Sequence, residues 1–182
     1  MKLILASTSP QRRELLKTLG IPFEVQAPRF TEYPTTLPPC EEALLFAEKK
    51  AQSVEKEHPS ALILGGDTLT AVGHRKLGKP RDEEEAVEML LLLSGKRHDL
   101  YTALVLLNTE TGDIKRHVEE VHVTFRSLTG REIDDYVATG EPLGKAGAYA
   151  VQGQASDFVT KIEGDLHAVI GLPLQKVKEW LG

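Results

Sequence analysis

The sequence predicts an α/β fold in which helices flank a mixed β-sheet. Short apolar runs of strand type recur along the chain, and segments with helix start signals separate several of them. Other strand-type runs follow one another across a turn, with no helix between them. Because parallel strands need a long crossover and antiparallel strands need only a turn, the two kinds of connection together predict a mixed sheet.

The first third of the chain is predicted to hold two strands and two helices. A strand over Lys2–Ala6 precedes Ser9 and Pro10, which suit the N-cap and the first residue of a helix that stops at Gly20. A second strand is expected over residues 23–26, then a proline-rich loop over 28–39 and a helix over 41–57.

The rest of the chain continues the mixed pattern. The apolar run over 61–64 is expected to be a strand that stops at two glycines, and a hairpin is expected at residues 73–74. Capping-box spacings predict helices from Asp82 to residue 93 and from Thr129 to residue 139. The remaining expected elements are strands over 100–107, 121–125, 148–151 and 158–162, and a helix over 174–181.

Composition limits the classes of function. The chain has 182 residues, 41% of them hydrophobic, which suits one domain with a sizeable core. Its net charge of −5 argues against broad nucleic-acid binding, which needs a concentrated basic face. No run suits a signal peptide or a bilayer span, and the single Cys40 excludes an internal disulfide. We therefore expect a cytoplasmic protein with no membrane partner and no stable nucleic-acid partner.

Asp67 is the first candidate for chemistry. It follows the predicted strand and two glycines, and Thr68 follows it. An ionised carboxylate is costly to bury, and glycine lets another molecule approach the backbone, so such a strand end suits a metal ligand or a general base. The alternative is an ordinary Gly-Gly-Asp turn in which Thr68 opens the next strand.

A second candidate lies where the first strand passes into the first helix. Ser7 and Ser9 supply hydroxyl groups near the free N–H groups of that helix, and Arg12 and Arg13 supply guanidinium groups suited to phosphate. Cations are unfavourable at a helix N-terminus, so an anion bound there explains the two arginines better. The alternative is that Ser9 only caps the helix and both arginines face solvent.

Three more segments could contribute polar groups. Lys50 lies on the apolar stripe of its helix, where it either snorkels to the helix edge or reaches an anion. Lys79 belongs to a rigid Gly-Lys-Pro turn that is otherwise an ordinary surface turn. Gln152 ends a run of small residues predicted to be a strand, and its amide can read a base edge or merely cap that strand. The histidines show no metal-ligand spacing.

Taken together, these segments resemble the Maf family of nucleoside-triphosphate pyrophosphatases. The similarity comprises six blocks in order along the chain: LASTSPQRRELL (5–16), FAEKKA (46–51), GGDT (65–68), GKP (78–80), KAGAYAVQG (145–153) and VIGLP (169–173). Two positions depart from the usual family pattern. Gln11 stands where an arginine is usual, so that Arg13 either compensates or faces solvent, and Gly144 stands where an aspartate is usual.

The resemblance implies an elongated, two-lobed single domain over residues 1–182, with a central cleft and a shape related to inosine-triphosphate pyrophosphatases. Within it, Asp67 is implied as the proton acceptor and, with Glu32, as the ligand of a divalent ion, Mg²⁺ or Mn²⁺. Positions that set base preference are matched by Arg12, Thr68 and Gln152. Other cleft positions are matched by Ser7, Ser9, Glu32, Lys50 and Lys79. A homodimer is also implied.

The activity implied by the resemblance is hydrolysis of nucleoside triphosphates between the α and β phosphates, in the housecleaning of nucleotide pools. The Gln-Gly ending of the KAGAYAVQG block resembles the branch acting on dTTP and UTP, with CTP and modified pyrimidine nucleotides as further candidates. The alternative is a nucleotide-sensing regulator of cell division or septum formation without useful turnover. The carboxylates favour the enzyme, because a sensor has no need of Asp67 to activate water.

Overall fold

The computed structural model describes all residues from 1 to 182, and its elements follow the predicted order except that the strand expected over 148–151 is absent and a short helix over Leu166–Ile170 was not predicted. The elements are β1 (Lys2–Ala6), α1 (Pro10–Lys17), β2 (Glu24–Gln26), α2 (Pro39–Gln52), β3 (Ala61–Val72), β4 (Arg75–Leu77), α3 (Glu83–Leu93), β5 (Arg97–Asn108), β6 (Ile114–Phe125), α4 (Gly130–Val137), β7 (Val159–Glu163), α5 (Leu166–Ile170) and α6 (Leu174–Leu181). Short 3₁₀ turns cover Glu55–Glu57, Ala146–Ala148 and Gln154–Phe158. No helix is both long enough and apolar enough to cross a bilayer.

The seven strands form one mixed sheet, which confirms the predicted fold class. The strand order is β2-β1-β3-β5-β6-β7, and β4 pairs with β3. Strand β1 runs parallel to both β2 and β3, with Leu5 opposite Leu64 and Ala6 opposite Gly65. The β3–β4 and β6–β7 pairs are antiparallel. The hairpin predicted at residues 73–74 joins β3 to β4, and Gly73 has the positive φ of 56° that this turn uses.

The chain divides into two compact units, each with its own apolar core. The first unit comprises Met1–Thr68, Thr102–Glu119 and Gly171–Gly182, and the second comprises Leu69–Tyr101 and Glu120–Ile170. In the first unit, leucines of β1, α1, β3 and β5 pack with Leu172 and with Val177 of α6. In the second, one face of α3 and one face of α4 pack with Val121, Val123 and Phe125 of β6.

Four predictions about elements were wrong. Strand β6 begins at Ile114 and not at residue 121. Strand β3 does not stop at residue 64 but continues to Val72, because Gly65 and Gly66 stay extended and Gly65 pairs with β1. Helix α2 begins two residues early, at Pro39, and ends at Gln52, where a separate 3₁₀ turn follows. The segment 148–151 is not a strand, since Gly147 and Ala148 have positive φ values of 69° and 62°.

The predicted helix caps were confirmed at three helix starts. Ser9 accepts a hydrogen bond from the N–H of Arg12, and Thr129 and Glu132 form both halves of a capping box. Asp82 accepts from the N–H of Glu85, but the Glu85 carboxylate bonds the N–H of Arg81 instead of returning to Asp82. The local sequence therefore decided where these helices begin.

Candidate active site

The site begins at the turn between β1 and α1, where two hydroxyls organise the backbone. The Ser7 hydroxyl accepts from the N–H of Ser9 at 3.1 Å, and the Ser9 hydroxyl accepts from the N–H of Arg12 at 3.3 Å. Ser9 also donates to the side-chain oxygen of Gln11 at 3.2 Å. Ser9 thus caps α1, as the capping interpretation expected, and Ser7 supports the turn before it.

Arg12 points into the first unit and is buried. Its Nε donates to the carbonyl of Gly171 at 2.8 Å, and its Nη2 donates to the hydroxyl of Thr68 at 2.9 Å. Burial lowers the pKa of Arg12, whereas the negative charges of Asp67 and Glu32 raise it. Because both bonds hold the guanidinium in one plane, Arg12 is a fixed cation beside β3 and does not face solvent.

Arg13 behaves differently from its neighbour. Its side chain is exposed, and its Nε lies 3.4 Å from the carboxylate of Glu14 on the same helix. The structure thus places Arg13 on the surface with a local partner, and Arg12 alone reaches the buried site. The alternative of a solvated first-turn arginine, left open by the sequence, holds for Arg13.

The charged centre of the site consists of Asp67, Lys50 and Glu32. The ammonium of Lys50 lies 2.5 Å from Oδ1 of Asp67 and 2.7 Å from Oε1 of Glu32. Asp67 and Lys50 are only 5% and 7% exposed, and the Glu32 side chain is 37% exposed. Lys50 therefore does not snorkel to solvent. It lies on the apolar face of α2 and forms ion pairs with both carboxylates.

The two glycines of β3 explain how Lys50 comes so close to Asp67. A Cβ atom on Gly65 would lie 2.3 Å from the carbonyl oxygen of Ala47, and a Cβ on Gly66 would lie 3.1 Å from Nε of Arg12. Helix α2 presents fully buried alanines to this strand, namely Ala47 and Ala51. The glycines therefore serve close packing of helix and strand, and they are not the turn that the sequence suggested.

Glu32 reaches the site because its loop is anchored on α2. Phe30 and Tyr33, on either side of it, pack against Phe46 with ring centroids 5.4 and 5.5 Å apart. Phe46 precedes Lys50 by four residues, so the two side chains share one face of the helix. The aromatic contacts thus fix the loop where the Glu32 carboxylate meets the Lys50 ammonium.

Asp67 has a perturbed pKa with identifiable causes. Burial raises the pKa of the Asp67 carboxyl, the positive charges of Lys50 and Arg12 lower it, and Glu32 raises it further. The net direction is upward. A buried carboxylate with a raised pKa and a fixed ammonium partner is typical of a functional site, since it makes a stronger base than a surface aspartate.

Two carboxylates of this centre supply the oxygen ligands that a hard divalent cation prefers. Lys50 pairs with Oδ1 of Asp67, which leaves Oδ2 as a ligand atom, and Glu32 supplies a second carboxylate.

The structure also assembles a group that sequence reasoning missed. The ligand atoms of Asp99, Glu120 and His122, on β5 and β6, lie within 4.8 Å of one another. The histidine spacing gave no signal, because this group forms only when the two strands pair.

Lys79 and Gln152 belong to the second unit. Lys79 is exposed in the loop after β4, and Gln152 is exposed in a turn, where a strand end had been expected. The N–H of Gly147 donates to the carbonyl of Gly78 at 3.0 Å, so the loop that carries Lys79 contacts the segment that leads to Gln152. Sequence reasoning assigned no role to Gly171, whose carbonyl holds Arg12, although it lies in the VIGLP block.

Comparisons with known proteins identify the family of this chain. A family model described as Maf-like protein matches residues 2–182. A protein named dTTP/UTP pyrophosphatase from Moorella thermoacetica is 46% identical over 181 residues, covering 99% of this chain and 93% of the relative. Another protein of that name, from Bacillus pumilus, is 43% identical over 176 residues, covering 96% and 92%.

A solved structure gives independent evidence on the fold. The Staphylococcus aureus Ham1 protein superposes with a TM-score of 0.56 and covers 100% of this chain and 98% of its own, at 14% identity. At that identity the likeness is one of fold alone, and it agrees with the predicted mixed α/β class. The near-complete family match and the identities above 40% over almost the whole length settle the family. The chain belongs to the Maf family.

Proposed function

We propose that this protein hydrolyses nucleoside triphosphates between the α and β phosphates, releasing a nucleoside monophosphate and pyrophosphate, with dTTP and UTP favoured. The observation that carries the proposal is the buried Asp67 carboxylate, held by Lys50 beside Arg12 in a Maf-family chain. The names of the relatives, dTTP/UTP pyrophosphatase, support the choice of reaction and of base.

Asp67 would accept the proton of the attacking water. Burial raises its pKa, which makes it a better base, while Lys50 and Arg12 favour its ionised form, which a base needs. A bond of Lys50 to Oδ1 fixes the orientation of the carboxylate, so that Oδ2 can accept the proton. One side chain thus combines basicity with a fixed geometry.

The positively charged side chains would bind the triphosphate. They would also stabilise the negative charge that develops on the departing pyrophosphate. Nε and Nη2 of Arg12 donate to Gly171 and Thr68, so its Nη1 group would donate to a phosphate oxygen. Lys50 and Lys79 would supply further positive charge, and Ser7 and Ser9 would hold the helix start near the phosphates. These roles follow the family positions that these residues match.

A divalent ion, Mg²⁺ or Mn²⁺, would be held by Asp67 and Glu32. When bound, it would neutralise phosphate oxygens and lower the pKa of a bound water. The charge balance of the site supports a requirement for a metal ion. Lys50 and Arg12 are balanced by Asp67 and Glu32, so the site carries little net positive charge of its own for a triphosphate.

Base choice would depend on Gln152, with Thr68 and Arg12 as further specificity positions. Thymine and uracil present a carbonyl–NH–carbonyl edge, and one glutamine amide can both donate to a carbonyl and accept from the ring N–H. A site built on such pairing rejects bases that leave its polar groups unpaired. We expect Gln152→Ala to reduce turnover of dTTP and UTP more than that of purine triphosphates.

The test of the reaction is pyrophosphate release from dTTP in the presence of Mg²⁺. Wild type should release it, and Asp67→Asn, which keeps the shape of the side chain, should lower turnover by about 10²- to 10⁴-fold. Circular dichroism and urea unfolding should show that the variant is folded. Nucleotide binding by wild type without pyrophosphate release would contradict the proposal and favour the sensing role. Near-normal turnover by folded Asp67→Asn would remove Asp67 as the base.

A further inference from the structure

The turn that carries Gln152 has a conformation that its own sequence does not favour. Residues 146–158 consist of two 3₁₀ turns and an irregular link, with Gln152 exposed in that link. Ala148, fully buried, has a φ of 62°, in the left-handed region that costs a residue with a Cβ about 1–3 kcal/mol. Such a conformation persists only where surrounding contacts impose it, so the contacts around the turn identify what holds Gln152.

Two side chains from the end of α4 and the residues after it hold the turn on both sides of Gln152. The N–H of Ala150 donates to the hydroxyl of Tyr136 at 3.3 Å. The N–H of Gln154 donates to the Glu141 carboxylate, at 3.2 Å from Oε1 and 3.0 Å from Oε2. The anchored backbone groups thus lie two residues before and two residues after Gln152.

The two anchors belong to one network. Burial raises the pKa of the Tyr136 hydroxyl, and the nearby Glu141 carboxylate raises it further. The Glu141 carboxylate thus influences the Tyr136 hydroxyl that accepts from the N–H of Ala150, and it accepts from the N–H of Gln154 itself. Charge-assisted acceptors of this kind are stronger than neutral ones.

Gly153 shows how tightly the carboxylate of Glu141 is placed. A Cβ atom on Gly153 would lie 2.1 Å from Oε1 of Glu141 and 2.5 Å from Oε2. The φ of Gly153 is −103°, which any residue adopts, so a side chain at this position would have to displace the Glu141 carboxylate. The Glu141 carboxylate thus lies directly against the backbone next to Gln152.

We propose that Glu141, acting with Tyr136, is a positioning residue that fixes the turn in the one orientation in which Gln152 can pair with a pyrimidine base. This inference rests on the proposed base-reading role of Gln152. It assigns a specificity function to a carboxylate outside the Asp67 centre. Loss of Glu141 should leave Gln152 present but no longer held before the base arrives, so that ordering it would weaken pyrimidine binding.

The experiment measures binding, which is independent of turnover. Dissociation constants for α,β-methylene dTTP and α,β-methylene dGTP are determined by calorimetry in wild type, Glu141→Ala, Gln152→Ala and the double variant. We expect Glu141→Ala to lower the preference for the dTTP analogue by about tenfold. The double variant should match Gln152→Ala alone, because a positioning residue has nothing left to position.

Matched variants separate positioning from general damage. Asp135→Ala removes a carboxylate of α4 whose partner is the exposed Arg131, and it should keep the wild-type preference. Glu141→Gln retains an acceptor for the N–H of Gln154 and should keep most of the preference. Tyr136→Phe keeps the ring packed at 5.3 Å from Phe158 and removes only the hydroxyl, so it should lose part of the preference for the dTTP analogue. It replaces Glu141→Ala in the test if Glu141→Ala does not fold.

The possible results distinguish this inference from the proposed function. A wild-type preference retained by folded Glu141→Ala would overturn the inference, as would independent, additive losses in the double variant or no preference in wild type. A preference lost on Glu141→Ala in a wild type that binds nucleotides but releases no pyrophosphate would support the inference and refute the proposed reaction.

Discussion

Replacing Lys50 by methionine tests whether the buried charges of the site are coupled as the structure indicates. Methionine keeps the apolar stem that packs on α2 but removes the ammonium that lies 2.5 Å from Asp67. Asp67 is 5% exposed, so its carboxylate would stay buried with Arg12 as the remaining cation. Breaking one partner of a buried pair costs about 3–5 kcal/mol. Because Arg12 remains nearby, we expect the lower end, about 3 kcal/mol of unfolding free energy at pH 7.

The pH dependence of this loss has a definite sign. The Asp67 pKa is already above its ordinary value of 3.8 in the folded protein, and removing Lys50 removes the largest influence that lowers it. A folded-state pKa above the unfolded value means that the folded protein binds the proton more tightly. The Asp67 contribution to stability is therefore most favourable at low pH and is lost as the pH rises through the folded pKa. The destabilisation caused by Lys50→Met should shrink as the pH falls.

Urea unfolding followed by the fluorescence of Trp180, the single tryptophan, measures both effects. Lys49→Met is the matched control, since Lys49 precedes Lys50 on the same helix but is exposed, and it should change stability by less than about 0.5 kcal/mol. Adding Asp67→Asn to Lys50→Met should restore much of the lost stability. If Lys50→Met were as stable as Lys49→Met at pH 7, the buried pair would not be coupled.

Three further predictions concern packing, titration and capping. Gly65→Ala should cost about 1–3 kcal/mol and lower turnover, because its Cβ would meet the carbonyl of Ala47; unchanged urea unfolding would contradict this. Burial lowers the pKa of His98 to about 4, so its NMR signals should titrate near that pH. The free energy of unfolding should fall by about 3 kcal/mol as the pH drops from 6.5 to 4, since over this range only the unfolded chain takes up the proton. Titration of His98 near pH 6.5 would refute this prediction. Thr129→Ala should lower the free energy of unfolding in urea by about 1 kcal/mol, because it removes the N-cap of α4. An unchanged free energy of unfolding would mean that the cap does not stabilise the helix.

Most of the fold could be predicted from local sequence signals. Ser9 and Thr129 began helices where their capping side chains implied, and the alternation at Val121, Val123 and Phe125 gave a strand with one buried face. One failure came at two glycines, which permit more than one backbone conformation. Gly65 and Gly66 suggested a turn, yet they continue β3 because a parallel neighbour and a close helix stabilise the extended form.

The site could be predicted only in part, because its members come from distant segments. The sequence singled out Asp67, Lys50 and Arg12, and the structure brings them together in the first unit. It could not separate Arg12 from Arg13, since both are arginines in the first turn of one helix. Burial separates them: Arg12 bonds Gly171 and Thr68, and Arg13 faces solvent.

The sequence by itself determined the fold class, the family resemblance and the residue types that could carry chemistry. These depend on periodicity, capping and short motifs, which are local properties of the chain. The tertiary structure alone decided that Lys50 pairs with Asp67 and Glu32, that glycines serve close packing, and that Glu141 holds the turn of Gln152. Those facts depend on contacts between residues far apart in sequence, whose energies appear only when burial removes water and fixes partners.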